Sequence, residues 1–260
     1  MRLCTYNIWN HNKNFDQRMD LLEDILVDKD IDVLVLQEVR DEGVVNRLKE
    51  RAGFSYSFWK KYEDCQEGLA ILSRYEMTDL WDNWDQAVLY NSGALVAKID
   101  YKGFDILIGD IHLDYKYAHH REEALLTVHK HLAASQADYR ILAGDFNAYP
   151  ESQIYRYLTG QASMAGTSGR FIDLAKSYCF YKNQALEVTL DFLNNPRWLD
   201  TPTLEIPGRF DWILLEDPYP SPSPRLVDYQ LLGKTPVQGI TPSDHYGVLV
   251  DLDFGGLNHD

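Results

Sequence analysis

Cysteine is scarce in this 260-residue chain, which carries only Cys4, Cys65 and Cys179. An odd, widely spaced set with no CxxC pair gives neither a disulfide framework nor a thiolate zinc site, so a reducing compartment is expected. Positive charge is also short. With 25 Lys+Arg against 40 Asp+Glu the net charge is −15 at pH 7, which excludes a generic polycation that grips nucleic acid by charge alone. No run approaches the ~20 apolar residues of a membrane span, and Met1 leads straight into strand-like residues without a basic or apolar leader. A soluble, cytoplasmic protein is expected. Short-period repeats, low-complexity tracts and composition breaks are absent too, so residues 1–254 should form one catalytic-size domain, with a short tail at 255–260.

What is present reads as an ordinary globular chain, 45% hydrophobic and 25% charged, with a 13% share of aromatics that suits both sheet packing and a ligand cleft. Leu3–Trp9 has strand character and breaks at Asn10-His11-Asn12, which puts Asn7 near a strand's carboxyl end. Phe15, Met19, Leu22 and Leu26 recur at helical spacing behind the acceptors Asn14 and Asp16, and Ile31–Leu36 is a continuous apolar strand ending in Gln37-Glu38. A helix over 41–52 follows, then extended segments at 55–60, 68–73, a pair flanking Asn91-Ser92-Gly93, and 104–112. A helix over 121–134 precedes the strand 140–144 and the turn Asp145-Phe146-Asn147, and 210–215, 226–232 and 246–252 complete the strands. Strands outnumber helices, and two sheets are needed to accommodate them.

Polar residues at the ends of these apolar strands are the sharpest feature, because strand-end loops are where a rigid scaffold presents reactive groups. Asn7 follows LCTY, Gln37-Glu38 follows DVLVL, His112 follows DILIGDI, Asp145 and Asn147 follow RILAG, and Ser243-Asp244-His245 precedes YGVLVDL. Asp211 stands inside the apolar start RFDWILL, where a carboxylate must be paired or hydrogen-bonded. Singly each has an ordinary explanation: Glu38 as a solvated acid, Asn7 and Asn147 as turn formers, His112 as a satisfied strand-end histidine, Asp244 as a cap. Together, carboxamides, carboxylates and histidines at strand ends suit one hard divalent cation and a phosphate. With no thiolate or clustered-histidine ligands, Mg²⁺ or Mn²⁺ is favoured over Zn²⁺.

In order, TYN at 5–7, LQEV at 36–39, EGLAILSR at 67–74, HLD at 112–114, GDFN at 144–147, RFDWIL at 209–214 and SDH at 243–245 resemble the endonuclease/exonuclease/phosphatase superfamily. That group contains pancreatic-type DNases, abasic-site endonucleases, sphingomyelinases, inositol-polyphosphate phosphatases and tyrosyl-DNA phosphodiesterases. The resemblance implies an α/β fold, a four-layer α/β/β/α sandwich with two mixed β-sheets. It also implies a Mg²⁺-dependent (or Mn²⁺-dependent) phosphoester hydrolase using in-line attack of water. Glu38 would be the principal metal ligand, with Asn7 and Asp244 near the same ion. Asp145 and Asn147 would position the water and a phosphate oxygen, and His245, oriented by Asp211, would serve as general base or phosphate ligand. His112 would bind the phosphoryl group and Glu67 would steady it.

Two departures narrow the family reading. Trp9 stands where abasic-site endonucleases carry an acid, and the long hydrophobic hairpin of secreted sphingomyelinases is not evident. LQEV, RFD and SDHYG are similar to the tyrosyl-DNA phosphodiesterase branch and equally to bacterial relatives of unknown substrate.

The expected partner is a phosphoester, carried by nucleic acid or by a phosphorylated small molecule or lipid, and no protein partner is implied. A phosphodiesterase is the leading expectation, a phosphatase on a small or lipid phosphate the alternative, and a catalytically silent binding module a reading of another class. Lys60-Lys61, His119-His120-Arg121, Arg170 and Arg209 read as salt-paired surface, and no basic stripe with interleaved aromatics appears. Tyr115, Tyr117, Tyr149 and Tyr155 follow motif residues and are divided between bordering a cleft and packing. A bound dication would reverse the local sign, so the acidic total points to short or small substrates and strict metal dependence.

Overall fold

The computed structural model describes residues 1–63, 65–84, 92–199, 201 and 203–255. In chain order the elements are β1 (Arg2–Asn7), α1 (Phe15–Lys29), β2 (Val33–Val39), α2 (Glu42–Ala52), β3 (Tyr56–Lys61), β4 (Gly68–Ser73), β5 (Met77–Asp82), β6 (Gly93–Tyr101), β7 (Phe104–His112), α3 (Ala118–Ala134) and β8 (Tyr139–Asp145). They continue with α4 (Gln153–Leu158), β9 (Phe171–Asp173), α5 (Leu174–Lys182), β10 (Asp211–Glu216), β11 (Arg225–Leu232) and β12 (Gly247–Asp253). Two six-stranded mixed sheets result, ordered β11-β12-β1-β2-β4-β3 and β5-β6-β7-β8-β10-β9.

The near-continuous apolar runs are explained by burial of both faces of each sheet. Alternate residues Leu3, Val33, Val35, Ile106, Ile108, Ile141 and Ile213 fill the space between the sheets. Their neighbours Cys4, Tyr6, Leu34 and Leu36 meet Met19, Leu22 and Leu26 of α1 and Val44, Val45 and Leu48 of α2. On the other side Leu107, Leu142 and Trp212 meet Leu125, Val128 and Leu132 of α3 and the α4 residues Ile154 and Tyr155. The chain is thus a four-layer α/β/β/α sandwich.

Because strand side chains repeat every two residues, the face that is apolar in the middle of the sandwich continues into Asn7, Gln37, His112 and Asp145 at one end. On that face, just below the strand ends, Thr5, Gln37 and Asp110 form a buried polar link between the sheets. Gln37 Nε2 donates to Asp110 Oδ1 at 2.7 Å and to Thr5 Oγ1 at 3.1 Å. Asp110 is fully buried, and its Oδ2 has no partner among the described residues.

Several elements differ from the sequence reading. Strand β2 begins at Val33 rather than Ile31 and runs one residue past the expected end at Gln37-Glu38, to Val39. Asn14 takes a left-handed conformation (φ 52°) and makes no side-chain cap, whereas Asp41 caps α2 by accepting from Val44 N. The strand β5 was not expected because its residues are largely exposed, and α4, β9 and α5 are too short to leave a periodic signal. Helix α3 begins at Ala118, three residues before the expected Arg121. Arg209, expected at the surface, is buried and paired with Asp173, while Lys60 and Arg170 do form exposed or half-buried pairs with Asp82 and Asp217. The turn residue Asn91 and tail residues 256–260 lie outside the described residues. No helix among the described residues is long and apolar enough to cross a membrane.

Burial holds the Asp110 carboxyl well above the usual carboxylate range, opposed only in part by hydrogen bonds from Gln37 and nearby backbone. The fold therefore favours the protonated acid, which the unfolded chain does not. Its contribution to stability is complete below about pH 4 and is lost as pH rises toward the folded value. Asp110→Asn, which keeps the acceptor for Gln37, should gain stability over the parent as pH rises above about 4, by up to about 1.4 kcal/mol per pH unit. Urea unfolding of both proteins from pH 4 to 7 measures the difference, and a pH-independent gap would contradict it.

Candidate active site

The parallel strands β1, β2, β7 and β8 end where the antiparallel β10 begins and where the loop before β12 stands, so registry brings their terminal residues together. Asn7 is opposite Gln37, His112 opposite Asp145, and Asp145 opposite Asp211. Two backbone irregularities aim the side chains. Glu38 occupies a bulge, since Leu36 pairs with Ala70 but Val39 pairs with Gly68, and its φ is 58°. Without the extra residue, alternation would turn Glu38 toward the helices; with it, Val39 joins the helix-side core and Glu38 turns to the cleft. At the end of β8, Gly144 (φ 146°) lies so close to Ile111 O that a Cβ would sit 1.9 Å away, so only glycine allows β8 to deliver Asp145 beside β7.

Asn7 links two of the carboxylates. Its Nδ2 donates to Glu38 Oε1 and to Asp145 Oδ2, both at 3.0 Å, while its Oδ1 accepts from Trp9 N. The amide therefore presents donors, not its oxygen, to the acids, which differs from a direct metal ligand. Asn10 N donates to the other Glu38 oxygen at 3.0 Å. Asp145 Oδ2 lies 3.9 Å from Nε2 of both His112 and His245, placing this acid between the two imidazoles. Asn147, also left-handed (φ 47°), donates its backbone N–H to Asp145 Oδ1 and its side-chain amide to Leu113 O.

His245 Nδ1 meets Asp211 Oδ2 at 2.9 Å in a fully buried pair. Burial raises the Asp211 carboxyl, with His245 opposing. For His245 burial acts downward, yet the fields of Asp211, Asp145 and Asp244 outweigh it and hold the imidazole well above its usual range. Asp244 is pushed up to about 6 by burial and by Glu38, with the field of His245 opposing. The ligand atoms of Asp145, Asp211 and His245 lie within 4.8 Å of one another and could hold a divalent cation. The donor set as a whole fits one. Among the described residues no Lys or Arg pairs within 4.0 Å with Glu38, Asp145, Asp211 or Asp244, which leaves concentrated negative charge facing the cleft.

That cleft, about 620 Å³, is lined by Glu38, Glu67, His112, Asp145, Asn147 and His245 and by Leu113–Tyr117. Asp244 lies beside them, its Oδ1 accepting from Ser243 Oγ at 3.2 Å. Glu67 is in the cleft wall, and His112 Nδ1 is buried with no hydrogen-bond partner among the described residues. Tyr115 and Tyr117 border the cleft, whereas Tyr155 is buried and Tyr149 packs edge-on against Phe210.

Three residues that hold the site were missed in the sequence. Thr189 Oγ1 accepts from the backbone N–H of both Phe210 and Asp211, while its carbonyl accepts from Tyr246 N. Asn195 Nδ2 donates to the carbonyls of Ser243 and Asp244. Arg18, 2% exposed, donates to five carbonyls, those of Ile8, Trp9, His11, Lys13 and Pro242. Thr189 and Asn195 sit in an irregular segment with no readable motif. Arg18 did leave a signal, because position 18 falls on the apolar stripe formed by Phe15, Met19 and Leu22.

The Endonuclease/Exonuclease/phosphatase family matches this chain over residues 4–245. The chain belongs to that family. It is a metal-dependent hydrolase acting on ester bonds. Among solved structures of the same fold, D. rerio TDP2 complexed with single strand DNA product is 20% identical with a TM-score of 0.79, covering 97% of this chain and 98% of that one. Bacteroides thetaiotaomicron mannosyl-6-phosphatase is also 20% identical, with a TM-score of 0.72 and coverage of 97% and 99%. A Leptotrichia buccalis endonuclease/exonuclease/phosphatase family protein is 19% identical, with a TM-score of 0.69 and coverage of 97% and 99%. No curated protein matches by sequence.

Thr189→Val should leave two N–H groups without their acceptor and destabilise this family member by about 1–3 kcal/mol. It should also lower kcat more than it raises KM, because Asp211 loses its support. Urea unfolding and steady-state kinetics together check this, and unchanged kinetics would show that Thr189 supports the fold alone.

Proposed function

We propose that the protein is a Mg²⁺-dependent or Mn²⁺-dependent phosphodiesterase in which water attacks phosphorus in one in-line step. The carrying observation is that Glu38, His112, Asp145 and His245 line a single open cleft, and that among the described residues no Lys or Arg lies within 4.0 Å of the Glu38 or Asp145 carboxylate. Glu38, with Asp244 beside it, would be the principal holder of a divalent cation, which would supply Lewis-acid neutralisation of the phosphate oxygens. Asn7 contributes by fixing the Glu38 carboxylate and by tying it to Asp145.

On this reading Asp145 orients the attacking water and accepts its proton, with Asn147 holding the loop and a phosphate oxygen. His112 and His245 hold the phosphoryl group from either side of Asp145, each as a hydrogen-bond donor from Nε2. Asp211 keeps His245 charged and fixes which ring nitrogen faces the cleft. Glu67 completes the wall beside His112. The free thiols of Cys4 and Cys179 agree with a reducing, cytoplasmic setting.

A second reading, a phosphatase on a small phosphate, has its own support. Among the described residues lining the cleft Lys116 is the sole Lys or Arg, a thin complement for a polyanionic chain. Of the proteins of the same fold, TDP2 in complex with a single strand DNA product supports the first reading and the mannosyl-6-phosphatase supports the second.

Glu38→Ala and His245→Ala should each reduce Mg²⁺-dependent hydrolysis of an activated phosphodiester by on the order of 10³-fold while thermal unfolding stays cooperative. Full activity in either variant refutes the assignment. Turnover on single-stranded, duplex and 5′-adduct DNA beside phosphorylated metabolites separates the two readings.

A further inference from the structure

Four cations gather where an acidic protein would be expected to have few. The charges of Arg197, Arg18, Lys13 and Arg40 all bear on His11, in the loop that follows β1. Among the described residues none of the four has a carboxylate within 4.0 Å, although many other Lys and Arg side chains in the chain do, including Arg47, Lys60, Arg74 and Arg170. The three arginines are instead held by neutral groups, and Lys13 is exposed. Arg18 uses its N–H groups on the five carbonyls described above. Arg40 donates to Asn10 Oδ1 and lies 3.9 Å over the Phe15 ring. Arg197 is 4.6 Å from the rings of both Trp9 and Trp198, with one bond from Nη1 to Thr201 Oγ1. Trp9 in turn has Arg18 at 4.5 Å and stacks on His11.

A crevice of about 40 Å³ opens among these groups, lined by Trp9, Lys13, Arg18, Arg197 and Thr241 and by no acid. The catalytic cleft is its electrostatic opposite, with Glu38, Glu67, Asp114 and Asp145 against one lysine. The two adjoin. Asn10, the residue after Trp9, donates to Glu38, and the charge of Arg197 reaches Asp244. Positive charge held beside the site, unneutralised and backed by indole rings, is suited to a compact anion.

We infer that this crevice, with Lys13 and Arg197 at its core, is a subsite for a second phosphate of the substrate, one that is not cleaved. The inference rests on the phosphoester reading of the cleft and narrows it: the preferred substrates carry two phosphates separated by a short unit, such as a phosphorylated nucleotide or a dinucleotide. A long polyanion is not required, because the basic ground is confined to one small crevice. Arg18, whose donors are all spent on carbonyls, contributes charge and shape rather than contact.

Two substrates that differ only in that phosphate provide the test: thymidine 5′-(p-nitrophenyl phosphate) and its 3′-phosphorylated counterpart. The parent should have the higher kcat/KM on the second substrate. Lys13→Glu and Arg197→Gln should each lower the ratio of the two values by about tenfold, and added salt should narrow it. A parent ratio of one or below, or a ratio that survives in Lys13→Glu, overturns the subsite. Lys13 is exposed, so that variant does not depend on the fold surviving a buried change. Calorimetric titration with pyrophosphate in metal-free buffer keeps the two proposals separable. If neither substrate is turned over by the parent, the hydrolase reading fails. Pyrophosphate heat that is present in the parent and lost in Lys13→Glu still supports the subsite, and heat that is absent or unchanged overturns it.

Discussion

Mutual repulsion among carboxylates held at one end of the inter-sheet space is the constraint around which the rest of this protein is arranged. Glu38, Asp145, Asp211 and Asp244 are kept close by groups that donate hydrogen bonds without carrying charge: the Asn7 amide, the Asn10 N–H, and the Ser243 hydroxyl. The Thr189 hydroxyl and Asn195 amide act one step further out, on the backbone that carries Asp211 and Asp244. Had lysines or arginines done this work, the acids would be satisfied and a metal ion would gain little by binding. Neutral donors fix positions while leaving the field intact. His245 compensates them from within the cluster, and its charge is favoured by the acids themselves.

The positive groups follow the same logic at greater range. Arg18 is buried without a carboxylate contact, yet Asp244 and Glu38 act on it through space and partly offset its desolvation. It thereby joins the loop after β1 to Pro242, on the approach to His245, by geometry and by field at once. The formal charge of −15 therefore describes the surface average and conceals a local division into an acidic cleft and a basic crevice beside it.

Much of this was legible in the sequence because strand periodicity and strand-end chemistry are local. The runs behind Asn7, His112 and Asp145 marked both the strands and the edge at which they stop, and the two-sided burial of Val33–Leu36 was implied by its lack of alternation. Glu38 was located, but not the bulge that aims it, since nothing in LQEV distinguishes an extended residue from a left-handed one. Thr189 and Asn195 act through backbone groups dozens of residues away, and a contact of that kind leaves no pattern in one sequence. The edge strand β5 escaped because half of it is exposed and only Met77 and Trp81 pack against the cores, too few to leave an alternating apolar signal. Asp110 escaped for the opposite reason, being a single polar letter within a strand that otherwise reads as core.

The bulge at Glu38 also bears on how the sheet assembles. Val33–Leu36 is apolar on both sides, so hydrophobic pattern alone would let β2 slide along β1 and β4 with little loss. The change of phase at residue 38 removes that freedom. A one-residue slip would drive the Glu38 carboxylate toward the leucines under α1 and α2 and turn Val39 into the cleft, an exchange that costs several kcal/mol in desolvation. The residue that equips the site for chemistry thus also acts as a proofreader of strand alignment, and a chain that mispairs loses its stability and its function in the same event.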